Sequence, residues 1–159
     1  MTSTPPATGT GRRKEAMART REALIDAGLR LAESTGLTGL SVNLIVADAG
    51  VAKGTFFHHF GDRASYLLAL HREFHERLAT RIQAATVGMP PGRNRLTTIA
   101  NTYLDGCLSD RGVRALLLEA RAEPAVTDEI TRRNTASAEQ CQADFAALKR
   151  LHQIGRAHV

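Results

Sequence analysis

Residues 41–60 read SVNLIVADAGVAKGTFFHHF and carry the strongest local pattern in the chain. Their first part places four apolar residues at i, i+3, i+4 and i+7, the spacing of one helix face: Val42, Ile45, Val46 and Ala49. Gly50 follows at once, where glycine commonly ends a helix because it tolerates a positive φ. A second helix is predicted from Lys53 to Phe60. Two short helices around a glycine-containing turn form a helix-turn-helix unit, whose second helix can enter a DNA major groove.

The rest of the 159-residue chain favours helices as well, so we predict an all-α fold. Ala, Leu, Arg and Glu are frequent, and the alternating apolar pattern of strands is missing from the sequence. Helices are expected over residues 14–34, 63–87, 93–109, 112–122 and 125–151. In the first helix, Gly28 lies within the apolar stripe, where it would permit a close helix crossing, and Gly36 is expected to end the helix.

Positive charge is concentrated near the N-terminus. The chain has a formal net charge of +5. Five of its cations precede residue 22, against a single carboxylate, Glu15, in that stretch: Arg12, Arg13, Lys14, Arg19 and Arg21. Residues 1–13 are therefore predicted to form a disordered basic arm, because their Thr, Pro and Gly content disfavours folding. Such an arm suits a nucleic-acid partner, and a merely solvated basic tail is the alternative.

The two cysteines and the hydropathy pattern indicate a cytoplasmic protein. Cys107 and Cys141 lack CxxC spacing, which fits ordinary thiols in a reducing compartment. The N-terminal residues have no apolar core of a signal peptide. No apolar run approaches the ~18 residues needed to cross a membrane. No membrane association, cofactor or metal is predicted.

The stretch TREALIDAGLRLAESTG, followed by SVNLIVADAGVAKGTFFHHFGDRASYL, resembles the DNA-binding domain of TetR/AcrR-family transcriptional regulators over residues 18–78. The resemblance implies an N-terminal three-helix helix-turn-helix DNA-binding domain over 14–62. It implies a partial helical ligand-sensing and dimerisation domain over 63–152. The implied function is a transcriptional regulator, most simply a ligand-relieved repressor. It would bind a palindromic double-stranded DNA operator as a homodimer and respond to an unknown small-molecule effector.

Eight residues are candidates for DNA contact: Ser41, Lys53, Gly54, Thr55, Phe57, His58, His59 and Arg63. Ser41 offers a hydroxyl and a helix N-terminus to a phosphate. Lys53 and Thr55 suit phosphates or base edges near the start of the second helix. Gly54 would leave room for the DNA backbone or for an adjacent helix. His58 is equally compatible with DNA contact and with plain solvent exposure.

The family resemblance supplies roles for the remaining candidates. It places Phe57 at a phosphate-contacting tyrosine, His59 at a backbone-contacting histidine and Arg63 at a phosphate-binding lysine. Phe57 lacks the tyrosine hydroxyl, and Ala52 replaces a capping Ser or Thr; each loss corresponds to ~1 kcal/mol. We therefore predict weaker phosphate anchoring than is usual in the family. Phe56 and Phe60 are expected in the core.

The second half of the chain is less specific. Tyr103 and Cys107, one helical turn apart, are the candidates for ligand contact, although most apolar residues there would also suit an ordinary helix-bundle core. An architectural or partner-binding helical module without ligand response is the alternative function. An enzyme is disfavoured because nucleophile and phosphate-loop motifs are absent from the sequence. His71 and His75 have zinc-compatible spacing but no evident third ligand, so we expect them to face solvent.

The C-terminus departs from the family pattern. The last helix is expected to end near Leu151, and residues 153–159 are predicted to be a non-native tail. Their IGRAHV matches one reading frame of a sequencing-adapter oligonucleotide. The two long dimer-forming helices of the family would then be missing. We accordingly expect impaired dimerisation and weak binding of single half-sites by this chain.

Overall fold

The computed structural model describes residues 9–108 and 124–157, and its regular structure there is entirely helical. The helices in these residues are α1 (Gly9–Gly39), α2 (Val42–Ala49), α3 (Lys53–Phe60), α4 (Arg63–Thr86), α5 (Arg93–Leu108), α6 (Pro124–Gln140) and α7 (Gln142–Ala157). The all-α prediction is confirmed. The helix predicted over 112–122 lies outside the described residues.

Helix α1 is longer than the sequence predicted. It begins at Gly9, so residues 9–13 of the predicted disordered arm are helical. Gly36 has φ 64° and ψ 175°, which interrupts the helix at the glycine where its end was predicted. Only glycine adopts such a positive φ at little cost.

Side-chain caps mark the boundaries around α2 and α4. The Ser41 side chain accepts a 3.3 Å hydrogen bond from the Leu44 amide at the start of α2. Gly50 ends α2 with φ 67°. Asp62 caps α4 by accepting a 2.7 Å bond from the Ser65 amide. These contacts satisfy amides that have no partner inside the first helical turn.

The first four helices enclose one apolar core. Its fully buried members include residues of all four, namely Leu24, Ile25, Ile45, Phe56, Tyr66 and Leu70, and α6 adds Val126. Gly28 of α1 lies against the Tyr66 ring of α4, and a Cβ at Gly28 would overlap the Tyr66 hydroxyl. The predicted close crossing at Gly28 is therefore present, and it brings α1 against α4.

Helix α4 continues beyond this core and packs against α5 and α6. An ion cluster links α4 to α6. In it, a guanidinium nitrogen of Arg72 on α4 lies 3.1 Å from a carboxylate oxygen of Glu129 on α6. Arg132 and Arg133, also on α6, contact the same carboxylate at 2.7 and 2.9 Å. Glu129 is largely buried, and its charge-assisted bond with Arg72 joins the two helices.

The single helix predicted over 125–151 is wrong, because the helix is interrupted at Cys141. The interruption lies next to a long-range contact of Asp144, which is fully buried near the start of α7. Its carboxylate accepts 2.7 and 2.9 Å hydrogen bonds from Arg95 and a 2.8 Å bond from the Gly92 amide. Helix α7 then continues to Ala157, whereas its end was expected near Leu151.

Candidate nucleic-acid interface and helical cleft

Helix α3 is anchored to the core by its aromatic residues. Phe56 is fully buried and Phe60 is 8% exposed, as expected from the sequence. Each ring lies 4.8 Å from the Tyr66 ring, measured between centroids. This aromatic cluster determines which face of α3 points outward.

The outward face of α3 carries most of the candidate DNA contacts. Lys53, Gly54 and His58 are exposed, and Phe57 is 44% exposed. Thr55 is half-buried at the edge of this face. A Cβ at Gly54 would meet no atom within 4 Å, so its predicted role in making room for an adjacent helix has no counterpart in the described residues.

The start of α3 lacks a side-chain cap, as the sequence predicted. Ala52 has φ −75° and ψ 149°, which is suitable N-cap geometry, but its methyl group accepts no hydrogen bond. The Thr55 amide instead donates to the Ala52 carbonyl at 2.9 Å.

Two further candidate residues lie at helix N-termini. Ser41 is exposed at the start of α2, and Arg63 is the exposed first residue of α4. Helix α3 contacts both α2, which precedes it, and α4, which follows it. Their N-termini attract anions because amides and the helix dipole point outward there.

His59 is half-buried at the C-terminal end of α3. Burial is the main cause that lowers its pKa, followed by the neighbouring His58 and by Arg21. The Arg21 guanidinium carbon lies 5.5 Å from the centroid of the Phe60 ring, which places the middle of α1 beside α3. Arg21 was not among the candidate site residues; its place in the basic stretch was the available signal.

Both His71 and His75 had been expected to face solvent, and for His71 this expectation is wrong. His71 is fully buried, and neither ring nitrogen has a hydrogen-bond partner among the residues that the structure describes. Its ring lies 4.4 Å from that of His75, and the charges of Arg133 and Glu129 lie nearby on α6. The expectation failed because α6 lies against this part of α4. Among the described residues, no three His, Cys, Asp or Glu side chains are grouped to hold a metal ion.

A cleft of about 560 Å³ lies between α4, α5 and α6. Its apolar lining includes Leu78, Ile82, Ile99, Tyr103 and Leu104. Tyr103 thus lies at the cleft, as the sequence suggested. Cys107 is not part of the lining and packs against the core instead. Cys141, which was not among the predicted ligand contacts, does line the cleft.

The basic groups that line the cleft are a neutral imidazole and a compensated cation, and Asn134, Ser137 and Gln140 add uncharged polar groups. Burial, and then the adjacent His71, lowers the pKa of His75 to about 4, so its ring is neutral at pH 7. The Arg133 side chain is bonded to Glu129 at 2.9 Å. No carboxylate lines the cleft in the part of the chain that the structure describes. The cleft therefore suits an apolar molecule with few charges.

None of the described helices combines the length and the apolar composition that a membrane span requires.

Comparison with known proteins gives a consistent result. Residues 24–70 match the family model of bacterial regulatory proteins, tetR family. No curated protein matches the chain significantly.

Two solved structures are similar over more of the chain. One, assigned as a tetR family transcription regulator from Shewanella sp. PV-4, is 26% identical with a TM-score of 0.56. The alignment covers 67% of this chain and 57% of that protein. The other, the multidrug binding protein EbrR complexed with imidazole, is 26% identical with a TM-score of 0.60, covering 82% of this chain and 70% of EbrR. The chain thus spans less than two thirds of the length of the Shewanella protein.

Proposed function

We propose that this chain, whose residues 24–70 match the tetR family of bacterial regulatory proteins, regulates transcription by binding double-stranded operator DNA. The observation that carries the proposal is the two-sided arrangement of α3. Phe56 and Phe60 hold one side in the core, while Lys53, Phe57 and His58 are exposed on the other. A helix fixed in this way can enter a major groove without rearrangement.

Each exposed candidate has a role that its chemistry supports. Lys53 and Thr55 lie in the first turn of α3, whose N-terminal residues reach base edges in helix-turn-helix complexes. Ser41 and Arg63 stand at the N-termini of the flanking helices and bind phosphates on either side of the groove. His59, at the C-terminal end of α3, lies close to the DNA backbone. Phe57 contributes an apolar contact only, because it has no hydroxyl.

We further propose that the protein is a repressor relieved by a small molecule that binds in the cleft between α4, α5 and α6. As a full-length homodimer in the cytoplasm, the protein would bind the halves of a palindromic operator with its two α3 helices, about one DNA turn apart. The EbrR structure, named for multidrug binding, supports the idea that a cleft in this fold accepts small molecules. The effector must bind the two states of the protein with different affinity to release the DNA.

Selection of binding sites from a randomised duplex library tests the DNA-binding proposal. We expect enrichment of one specific sequence, which is a palindrome where the protein dimerises and a single half-site where it does not. Lys53→Ala should weaken binding to that sequence, and the exposed residue Lys149 on α7 gives a control, Lys149→Ala, that should not. Specific binding should exceed non-specific binding by about 10³-fold or more. A library without enrichment, bound equally by both variants, would favour the architectural module instead.

The cleft is tested separately with 8-anilinonaphthalene-1-sulfonate as an apolar probe. We expect the probe to fluoresce on binding and to release operator DNA at higher concentrations. Ile99→Trp should fill part of the cleft and weaken probe binding, whereas the exposed Phe145 on α7 provides a control in Phe145→Trp. Equal probe affinity in the two variants would contradict a cleft site.

A further inference from the structure

We propose that the exposed N-terminal part of α1, residues 9–22, is a second DNA-contacting surface that binds phosphates flanking the site of α3. We call residues 9–22 the basic arm; they share only residues 9–13 with the N-terminal arm predicted over residues 1–13. The proposal rests on the proposed function, because α3 must bring the duplex to the protein. It adds a contact surface outside the helix-turn-helix unit and assigns a purpose to the uneven distribution of charge.

The charge excess of the folded N-terminal half lies entirely in the basic arm. The arm carries five cations and two carboxylates, whereas residues 23–78 carry five cations and six carboxylates. Several cations of the latter group are neutralised within the fold, such as Arg30 by Asp48 at 2.7 Å and Arg77 by Asp26. Within the described residues, no ion pair engages the cations of the arm: Arg12, Arg13, Lys14, Arg19 and Arg21. Their field is therefore available to an external anion.

The basic arm extends beyond the body of the protein. Residues 12–19 are all exposed, and α1 first enters the core at Leu24. At 1.5 Å per residue, the helical residues 9–19 span ~17 Å. The arm is thus a continuous part of α1, and its side chains at residues 12–19 have no covering layer in the described structure.

The base of the arm adjoins the helix that we propose to enter the major groove. Arg21 lies over the Phe60 ring at 5.5 Å, and its charge is close enough to His59 to help lower the pKa of that histidine. Both partners are at the C-terminal end of α3. A duplex seated on α3 presents one phosphate charge per ~1.7 Å along its axis, so an arm of this length starting beside α3 has phosphates within reach.

The composition of the arm favours DNA over a membrane surface. Its apolar residues are Ala16, Met17 and Ala18, which are consecutive and so point in different directions around the helix. An interfacial membrane helix needs a broad apolar face with large side chains. A sequence-independent phosphate contact requires only cations, which the arm supplies.

The test compares two variants of the 159-residue chain, in each of which four positively charged residues are replaced by a neutral one. In the arm variant, Arg12, Arg13, Lys14 and Arg19 are replaced by Gln. The control variant loses the same charge at exposed positions away from α3, by replacing Arg81, Arg93, Lys149 and Arg150 with Gln. Gln and Arg have similar helix propensities, so helix content and the melting temperature of the arm variant should be unchanged.

Binding of each protein to the selected operator is measured across salt concentrations, on a duplex with long flanks and on one trimmed to the α3 site. For the arm variant on the long duplex, we expect the slope of log K against log[salt] to become less negative by ~0.9 per lost phosphate contact, or about 3–4 in total. The base preference should be retained. Trimming the flanks should reproduce this loss in the wild type, and the control variant should keep most of the slope.

The outcomes separate the two proposals. Sequence-specific binding by the wild type with equal slopes for arm and control variants overturns the basic arm alone. Binding to phosphatidylserine vesicles is measured as well. The basic arm is also overturned if the arm variant loses only this vesicle binding and keeps the DNA binding of the wild type. A wild type that enriches no sequence and binds no duplex overturns the proposed function together with the arm.

Discussion

The hydroxyl of Tyr66 donates a 2.7 Å hydrogen bond to the carbonyl oxygen of Leu24, 42 residues earlier in the chain. Both residues are fully buried, and the bond joins α4 to α1 inside the core. Burial raises the pKa of Tyr66, so its hydroxyl remains a donor at every physiological pH. The ring reaches this position because Gly28 has no side chain to obstruct it.

Replacing Gly28 with Ala should destabilise the protein by about 1–3 kcal/mol, since the new methyl group would overlap the Tyr66 hydroxyl. Tyr66→Phe alone should cost ~1 kcal/mol through the lost hydrogen bond. The double variant should cost less than the sum, because Phe removes the overlapping atom. Urea unfolding measures all three. Gly54→Ala, where the methyl group meets open space, is the control; strictly additive costs would contradict the proposed overlap.

Phe57→Tyr should strengthen operator binding. The ring is 44% exposed on the proposed DNA face, and a hydroxyl there would add one phosphate hydrogen bond of ~1 kcal/mol, or about fivefold in Kd. Fluorescence anisotropy on the selected operator measures the change. Phe145→Tyr, at a similarly exposed position on α7, should leave affinity unaltered. An unchanged Kd for Phe57→Tyr would place that residue away from the DNA backbone.

Ala52→Ser should raise the free energy of unfolding by ~1 kcal/mol. The backbone at Ala52 already has N-cap geometry, so a serine oxygen could accept a bond from an amide in the first turn of α3. Ser41→Ala, which removes the existing cap of α2, should lower stability by a similar amount. Thermal and urea unfolding of both variants provide the measurement. If both substitutions shift stability in the same direction, the capping interpretation fails.

The local features of the helix-turn-helix unit could be predicted from sequence because each depends on neighbouring residues. The turn at Gly50, the caps Ser41 and Asp62, and the inward direction of Phe56 and Phe60 all follow from spacing and residue type. Such features need no knowledge of distant parts of the chain.

The failed predictions concern contacts between distant segments. The break at Cys141 accompanies bonds from Arg95 and Gly92 to Asp144, about fifty residues apart, and no glycine or proline marks it. His71 is buried because α6 lies against α4, which helical spacing does not reveal. The apolar residues of the cleft likewise become neighbours only when three helices meet.

Stability should decline as the pH falls from 7 to 5. Burial lowers the pKa of His71, and it lowers that of His75 from 6.5 to about 4. The unfolded chain therefore binds protons at a higher pH than the folded one, and the stability present above pH 6.5 is lost as pH drops towards 4. For His75 we expect a loss of about 1 kcal/mol by pH 5, below the full linkage value because its ring is partly exposed.

Urea unfolding at several pH values, with wild type and His75→Leu, measures this effect. The variant should show a flatter dependence on pH between 7 and 5, because one of the two buried imidazoles is gone. His58→Gln removes a histidine from the exposed face of α3 and is the matched control. Identical slopes for wild type and His75→Leu would mean that His75 is not held neutral by the fold.

Helix α4 runs without interruption from Arg63, beside the proposed DNA face, to Ile82 at the cleft. These residues are ~28 Å apart along the helix axis. The helix therefore acts as a lever, in which a tilt of ~5° about the cleft end would displace Arg63 by about 2–3 Å, more than a hydrogen bond to a phosphate tolerates. A ligand in the cleft would thus need to change only the angle of one rigid element, while the fold of the helix-turn-helix unit stayed intact.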